Sequence, residues 1–144
     1  MTVLRYVKDK PPTTPLEIES PSERVLTVHR FFVSLATSAD VANRVLQVYI
    51  DKLRPDGLHD NLWIGRSANI AASKQLNLCY GPPIDNSDTT NFMTGNPESD
   101  ANEITVYLGG PPIYLANGEK LVFNVDAAEA ADTIYGLFEV DSPP

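Results

Sequence analysis

Short runs of alternating apolar residues, each closed by turn residues, constrain the fold of this chain most strongly. The clearest case is PPIYLANGEKLVFNV at 111–125, in which Asn117-Gly118 separates two such runs. Asn-Gly between alternating apolar residues is the strongest short-range signal for a β-hairpin. The sequence therefore predicts a hairpin here. RPDG at 54–57 predicts a second turn, because proline is favoured at the second turn position.

Similar runs fill most of the chain after residue 24. They include RVLTVHRFFVSLAT, KQLNLCY, EITVYLGG and DTIYGLFEVD. In the last run Ile134, Phe138 and Val140 share the inner face, and Gly136 leaves space for the close approach of a neighbour. About eight short strands with little helix predict an all-β fold, an antiparallel β-sandwich or a barrel.

Residues 39–53 allow two interpretations. Ser38 or Asp40 is suited to cap a helix that would carry Val41, Val45, Val48 and Tyr49 on one face. The run RVLQVYI instead alternates and is rich in β-branched residues, which favour strands. We expect a strand.

The first 22 residues differ from the rest because prolines interrupt them at 11, 12, 15 and 21. Prolines at these positions favour an extended, semi-rigid segment over a helix or a central strand. The sequence thus predicts an N-terminal arm at 1–22 and a β-sandwich domain at 23–144. A first strand along the sheet edge of its own domain remains an equal alternative for the arm.

Composition excludes several function classes. The chain has 144 residues, enough for one domain with a substantial core, and its 19 acidic against 11 basic residues give a net charge of −8. Such a balance disfavours binding to nucleic acid or to anionic membranes. There is no apolar run of membrane-spanning length, and MTVLRYVKDKPP does not resemble a signal peptide. We therefore expect a protein that is made and used without Sec export.

The residues offer little catalytic chemistry. His29 is expected on the core face of its strand as a structural histidine, and His59 is expected to be solvated on a turn. The single cysteine, Cys79, excludes an internal disulfide and is expected to be a small buried hydrophobe rather than a nucleophile. No metal-ligand spacing, nucleophile elbow or nucleotide-binding loop is present. We therefore expect no enzyme, no metal and no cofactor.

Two further groups of residues invite a binding hypothesis. Acidic residues of the polar segment 81–102 and its flank supply oxygen ligands suited to calcium, but without the spacing of a calcium loop, so a solvated rim is favoured: Asp85, Asp88, Glu98, Asp100 and Glu103. Trp63 and Tyr80 are suited to line a saccharide-binding face, although core packing is favoured for both. An exposed aromatic platform would favour the saccharide hypothesis, and a buried Trp63 would argue against it.

The order of these segments resembles that of the small jelly-roll β-sandwich proteins of tailed-bacteriophage virions, which include capsid decoration (cement) proteins and head or tail accessory proteins. The matching stretches are Leu115-Ala116-Asn117-Gly118 and residues 132–140. In that family a Leu-Pro-Ala-Gly-like turn precedes a strand, and the last strand begins at an aspartate. The family's proline is displaced here to Pro111-Pro112. The resemblance covers about residues 24–141.

This resemblance implies synthesis in the host cytoplasm and a structural role in the virion, on the capsid exterior. The chain would bind the major capsid protein and further copies of itself, as a dimer or trimer, and would stabilise the shell through buried interface area. The arm would then reach a neighbour's sheet edge, with Leu4, Arg5, Tyr6 and Val7 as its contact residues. The main alternative is a fibre, spike or tail module that binds a host saccharide. A hydrolase or isomerase on a cupin-like jelly roll is a weaker third hypothesis, because it needs clustered histidines.

Overall fold

The computed structural model describes residues 2–20, 24–81, 103–116 and 118–141 of the chain. Within these ranges the chain forms strands and no helix. The strands are β1 (Thr2–Lys10), β2 (Leu16–Glu19), β3 (Leu26–Ala36), β4 (Val45–Leu53), β5 (His59–Arg66), β6 (Gln75–Gly81), β7 (Glu103–Gly109), β8 (Ile113–Leu115), β9 (Lys120–Asp126) and β10 (Thr133–Asp141). The predicted all-β class is confirmed.

Two sheets pack into a sandwich with jelly-roll strand order. The large sheet has the order β1-β10-β3-β6-β7, with β8 also paired to β3, and the small sheet has the order β2-β9-β4-β5. All pairs are antiparallel except β6 with β7. Apart from the β4–β5 hairpin within the small sheet and from β7 and β8 in the large one, successive strands alternate between the sheets. The last two strands, β9 and β10, return between the first ones. This is the double Greek key of a jelly roll.

The strand interpretation of residues 39–53 is confirmed from Val45 onwards. Leu46, Val48 and Ile50 are buried in β4, and the side chains between them are less buried. The RPDG turn is also confirmed, since Gly57 N–H donates to the Arg54 carbonyl at 3.0 Å and Gly57 has a φ of 86°. A positive φ favours glycine, so this residue fixes the β4–β5 hairpin.

The hairpin predicted at Asn117-Gly118 is wrong, although the turn itself exists. Glu119 N–H donates to the Ala116 carbonyl at 2.9 Å, and Gly118 has a φ of 77°. However, β8 pairs with β3 in the large sheet, whereas β9 pairs with β2 and β4 in the small sheet. The turn therefore carries the chain across the sandwich. The apolar residues on both sides of the turn are buried, but they reach the core from opposite sheets.

The first two strands lie at the edges of the sandwich. β1 pairs with β10 along the large sheet, and β2 pairs with β9 along the small sheet. Leu16 and Ile18 of β2 are buried in the core, and Val7 of β1 packs against it. Within one chain, residues 2–10 thus take the position of an edge strand in their own domain, which is the second of the two interpretations of this segment. Reach to a neighbouring copy stays a prediction.

The core between the sheets is centred on aromatic side chains. Phe31 stacks on Tyr80 with ring centroids 5.0 Å apart and meets Phe123 edge-on at 5.0 Å. Phe123 and Phe138, both fully buried, lie 5.7 Å apart and so join the small sheet to the large one. A Cβ on Gly136 would lie 2.5 Å from the Phe138 ring. The predicted close approach at Gly136 is therefore confirmed.

A β-bulge in β3 changes which residues of that strand face the core. Glu139 pairs with Arg30, but the next residue, Val140, pairs with Val28, so His29 is the extra residue. The core-facing positions are therefore Leu26 and Val28 before the bulge and the odd-numbered residues from Phe31 to Leu35 after it. His29 is half-buried outside the core, with Nε2 3.9 Å from an Asp141 carboxylate oxygen. Its predicted place on the core face is wrong, because a bulge resets the two-residue period.

A buried ion pair fastens the loops at one end of the sandwich. Arg44 and Asp132, both fully buried, make two hydrogen bonds of 3.0 Å each. Arg44 also donates to the Ala42 carbonyl, and Asp132 accepts the backbone N–H groups of Ser38 and Glu129. The pair thus ties together the β3–β4 connection, the start of β4 and the loop before β10.

Candidate functional site

The outer face of the small sheet carries an exposed aromatic pair. Tyr49 of β4 and Trp63 of β5 are cross-strand neighbours, with ring centroids 5.0 Å apart and a tilt of 55° between the rings. Tyr49 faces outward because the residues on either side of it, Val48 and Ile50, point into the core. Trp63 is 53% exposed. The pair offers an apolar surface to solvent at the edge of the sheet, and we call it the Tyr49–Trp63 platform.

Polar side chains flank this platform along both strands. Asp51 is the next residue of β4 on the same face as Tyr49, and its Oδ1 lies 2.6 Å from Nδ1 of His59. His59 lies at the start of β5, diagonally across from Asp51, which pairs with Asn61. On the other side, Asn124 Nδ2 donates to Gln47 Oε1 at 2.9 Å. Burial, with smaller contributions from the carboxylates of Asp51 and Glu17, raises the pKa of the Tyr49 hydroxyl. Tyr49 therefore stays a neutral hydrogen-bonding group near neutral pH.

The arrangement has the chemistry of a recognition surface. An aromatic face stacks on flat apolar surfaces such as the C–H face of a pyranose or an apolar side chain of a protein. Carboxylate, imidazole and amide groups beside it are able to hydrogen-bond hydroxyl groups. Three leucines in and near the β4–β5 hairpin turn are also exposed, namely Leu53, Leu58 and Leu62. Leu62 pairs with the inward-facing Ile50, so it lies on the opposite face of β5 from Trp63.

The structure separates the two aromatic residues that the sequence analysis grouped together. Tyr80 is 8% exposed, stacks on Phe31, and donates its hydroxyl to the Pro111 carbonyl at 2.6 Å. Core packing is thus confirmed for Tyr80. For Trp63 it is wrong, because β5 is the edge strand of its sheet and its pairing with Tyr49 aims the indole outward. The condition set for the saccharide hypothesis, an exposed platform, is met by Trp63 with Tyr49.

Tyr49 is the aromatic member of the site that sequence reasoning missed. The strand interpretation of RVLQVYI already placed Leu46, Val48 and Ile50 on one face. Tyr49 then had to lie on the other face. The signal was present, but Tyr49 entered the sequence analysis only as part of the helical alternative.

The predicted contact residues of the N-terminal segment lie on β1. The backbones of Leu4, Arg5 and Tyr6 pair with Glu139, Phe138 and Leu137 of β10. The side chains of these three residues lie outside the described part of the structure. Val7 pairs with Gly136 and packs partly buried against the core, so it contributes to this domain's own interior. The segment is not brought near the Tyr49–Trp63 platform, since β1 belongs to the other sheet.

The remaining candidates give no catalytic arrangement. His59 begins β5 rather than lying on the turn, and it is exposed as expected, with Asp51 as its partner. Cys79 is half-buried on the outer face of the large sheet, where burial raises the pKa of its thiol. The expectation of a core position for Cys79 is wrong, because its neighbours Leu78 and Tyr80 take the inward positions. A raised thiol pKa lowers the thiolate fraction that a nucleophile needs.

The calcium hypothesis rests largely on residues outside the described ranges. Asp85, Asp88, Glu98 and Asp100 all lie between residues 82 and 102. Glu103, the described member of the group, begins β7 and accepts a hydrogen bond from Asn77 Nδ2 at 2.7 Å. Among the residues that the structure describes, no group of three or more histidine, cysteine or acidic side chains is arranged to hold a metal ion.

Comparison with models of known protein families, with curated proteins and with solved structures gives no match for this chain. In the described part of the chain, no helix has the length and apolar character needed to span a membrane.

Proposed function

We propose that this chain is a structural protein of a tailed-phage virion, a capsid decoration (cement) protein that binds the assembled major capsid protein shell and stabilises it. The observation that carries the proposal is the strand order, β1-β10-β3-β6 in one sheet and β2-β9-β4-β5 in the other. This is the jelly roll that the sequence resemblance implies. Such a protein catalyses nothing, and its contribution to the shell is buried interface area repeated over many copies.

The N-terminal strand supports this proposal because it supplies an edge for a neighbour. β1 is nine residues long and forms the border of the large sheet, with β10 on one side. Within the described residues no strand covers its other side. A free edge presents backbone N–H and C=O groups that pair with an added strand. Leu4, Arg5 and Tyr6 are the proposed contact residues of this edge.

Co-sedimentation with undecorated phage capsids tests the proposal. Full-length protein is expected to bind saturably, at a copy number set by the symmetry of the shell. The combined substitutions Leu4→Ser, Arg5→Ser and Tyr6→Ser are expected to weaken that binding. Deletion of residues 1–20 is unsuitable, because it removes β1 and the buried residues of β2. Absence of binding by the full-length chain would contradict the cement role.

A second candidate function is favoured by the Tyr49–Trp63 platform, namely recognition of a host surface saccharide by a fibre, spike or tail module. The exposed indole with polar groups on both sides is the arrangement that such recognition uses. Glycan-array binding followed by titration with the best glycan tests it. Trp63→Ala is expected to abolish binding, whereas the control Leu62→Ala, also at a 53%-exposed residue of β5 but on its other face, is expected to retain it.

These two functions are separable with the same variants. Trp63→Ala is expected to bind capsids as the unaltered chain does, because the β1 edge belongs to the other sheet. Loss of capsid binding in Trp63→Ala would move the proposed capsid contact from β1 to the small sheet.

A further inference from the structure

The outer face of the large sheet carries an uncharged block that spans four strands. One row of it is apolar and runs across β10, β3, β6 and β7 as Leu137, Phe32, Cys79 and Tyr107. The next row is polar but uncharged and runs across the same strands as Tyr135, Ser34, Asn77 and Thr105. The solvent-facing side of an antiparallel sheet is normally polar and often charged. An apolar row on this face is therefore a candidate surface for contact with a partner.

Several members of the apolar row are accessible. Tyr107 is 41% exposed and Leu137 is 39% exposed. Phe32 and Cys79 between them are half-buried, and the Phe32 ring lies 6.0 Å from that of Tyr135. In the polar row Ser34 donates to Asn77 Oδ1 at 2.8 Å, so these buried polar groups satisfy one another. These polar groups therefore need no solvent to satisfy this hydrogen bond when a partner covers the face.

We propose that this face, which we call the β3–β6 face, is where a second copy of the chain packs to form a two-fold dimer. The proposal deepens the homo-oligomeric part of the proposed function and rests on it. The β3–β6 boundary is the midline of the block, with β10 and β7 at equal distances from it. A two-fold axis parallel to the strands along this midline places Phe32 over Cys79 of the second copy. It likewise places Leu137 over Tyr107.

Charge also favours a second copy on this face. The chain carries a net charge of −8, so most surfaces of two copies repel each other. One row of residues borders the block on each side along the strands. The row next to the apolar row contains Glu139 and Arg30, and the row next to the polar row contains Glu103. Arg30 Nε lies 3.1 Å from Glu139, which neutralises that corner. About the same axis, Glu139 faces Gly109 of the second copy and Glu103 faces its Thr133, so no carboxylates are opposed.

The size of the face approaches that of a standard dimer interface. Four strands of seven to eleven residues lie symmetrically about the axis, namely β10, β3, β6 and β7. At about 4.8 Å between strands and about 3.3 Å per residue, their flat projection is roughly 19 Å by 25 Å, or roughly 480 Å². A standard interface buries about 800 Å² per partner, and the accessible area of a corrugated face exceeds its flat projection. The packing of two such faces resembles that within a β-sandwich.

Sedimentation velocity of the free full-length chain, over a range of concentrations, tests the proposal without capsids. The unaltered chain is expected to be a dimer. Tyr107→Glu is expected to raise the dimer dissociation constant at least about tenfold, because it brings an unpaired carboxylate into the apolar row of each copy. Trp63→Glu, the matched control on the small sheet, is expected to leave it unchanged. Circular dichroism checks that both variants keep the β fold.

Cys79 provides an independent test of the axis, because any crosslink through the only cysteine of the chain joins two copies. Packed sheets lie about 10 Å apart, so the backbones are too distant for a disulfide, which needs about 4.4–6.8 Å between Cα atoms. Oxidation is therefore expected to give no crosslink. Bismaleimidoethane is expected to give a crosslinked dimer that Cys79→Ser abolishes.

The following outcomes would overturn the proposed dimer through the β3–β6 face. A monomer at all concentrations excludes the dimer, and a dimer broken by Trp63→Glu but not by Tyr107→Glu places the interface on the small sheet. A dimer whose Cys79 reacts with N-ethylmaleimide but is not crosslinked by bismaleimidoethane excludes the β3–β6 axis. Because capsid co-sedimentation is measured separately, failure of the cement role leaves these results unaffected.

Discussion

The buried Arg44–Asp132 pair gives the sharpest prediction about stability. Both side chains have no exposed surface, and two hydrogen bonds of 3.0 Å join them. Asp132→Asn keeps the shape of the side chain but leaves the guanidinium with no carboxylate partner. Removal of one member of a buried ion pair costs about 3–5 kcal/mol, because the other charge stays buried and uncompensated. We expect Asp132→Asn to lower the free energy of unfolding by that amount.

Arg44→Met is expected to have a smaller effect than Asp132→Asn. The Asp132 carboxylate would still accept the backbone N–H groups of Ser38 at 2.7 Å and Glu129 at 3.0 Å. The matched control is Arg54→Met, which removes an exposed arginine that pairs with Asp56. Exposed ion pairs contribute about 0–1 kcal/mol, so the control is expected to unfold nearly as the unaltered chain does.

Denaturant unfolding followed by far-ultraviolet circular dichroism measures these differences, since a domain of this length is expected to unfold in two states. A loss of less than about 1 kcal/mol in Asp132→Asn would refute the reasoning, because exposed pairs contribute no more than that. A loss in Arg54→Met equal to that in Asp132→Asn would also refute it, since burial would then not be the cause.

The same pair predicts how stability depends on pH. Burial by itself raises the pKa of Asp132, but hydrogen bonds from Arg44 and from backbone N–H groups outweigh it, so the pKa lies below its usual value. A carboxylate with a depressed pKa in the folded state stabilises the fold above its unfolded pKa, which is about 3.9 for aspartate. This contribution is lost as the pH falls through the folded pKa. We expect Asp132→Asn to weaken the acid dependence of unfolding below about pH 4.

Two further substitutions test the packing. Gly136→Ala is expected to lower the free energy of unfolding by about 1–3 kcal/mol, because the new Cβ would lie 2.5 Å from the buried Phe138 ring. An unchanged midpoint of denaturation would contradict this, since the Phe138 ring would then move aside at no cost. Glu119→Ala is expected to lower the free energy of unfolding by about 1–3 kcal/mol, because the buried Glu119 Oε1 accepts the Ala116 N–H at 2.7 Å. The control is Glu17→Ala, which removes an exposed glutamate on β2. Equal losses in the two variants would show that the Glu119 hydrogen bond does not stabilise the turn.

Period-two alternation and turn residues were sufficient to predict the strands and much of the core. Ile134, Phe138 and Val140 are buried as their alternation required, and RPDG closes a hairpin. These predictions succeed because they depend on local geometry and on the burial of one face. The sequence also marked Gly136, whose lack of a side chain is meaningful only beside a large neighbour.

The failures arise where a local pattern depends on distant pairing. Asn117-Gly118 specifies a turn, but whether the flanking strands pair with each other depends on which sheet each one joins, and here they join different sheets. His29 was assigned to the core because nothing in its neighbours marks a bulge, which is set by the register with β10. The short run that contains Trp63 did not indicate which of its faces is covered. Only the pairing with Tyr49 decides this.

The two proposed surfaces together predict how a dimer would meet a flat surface coated with saccharide. Packing through the β3–β6 face brings the large sheets together, so the small sheets of the two copies face in opposite directions. Both Tyr49–Trp63 platforms therefore cannot touch one planar surface at once, and the dimer gains no avidity over a single copy. Surface plasmon resonance is expected to give the same apparent affinity for the unaltered chain and for Tyr107→Glu. A tenfold or greater advantage of the unaltered chain would show that both platforms engage together, which is incompatible with a dimer formed through the β3–β6 face.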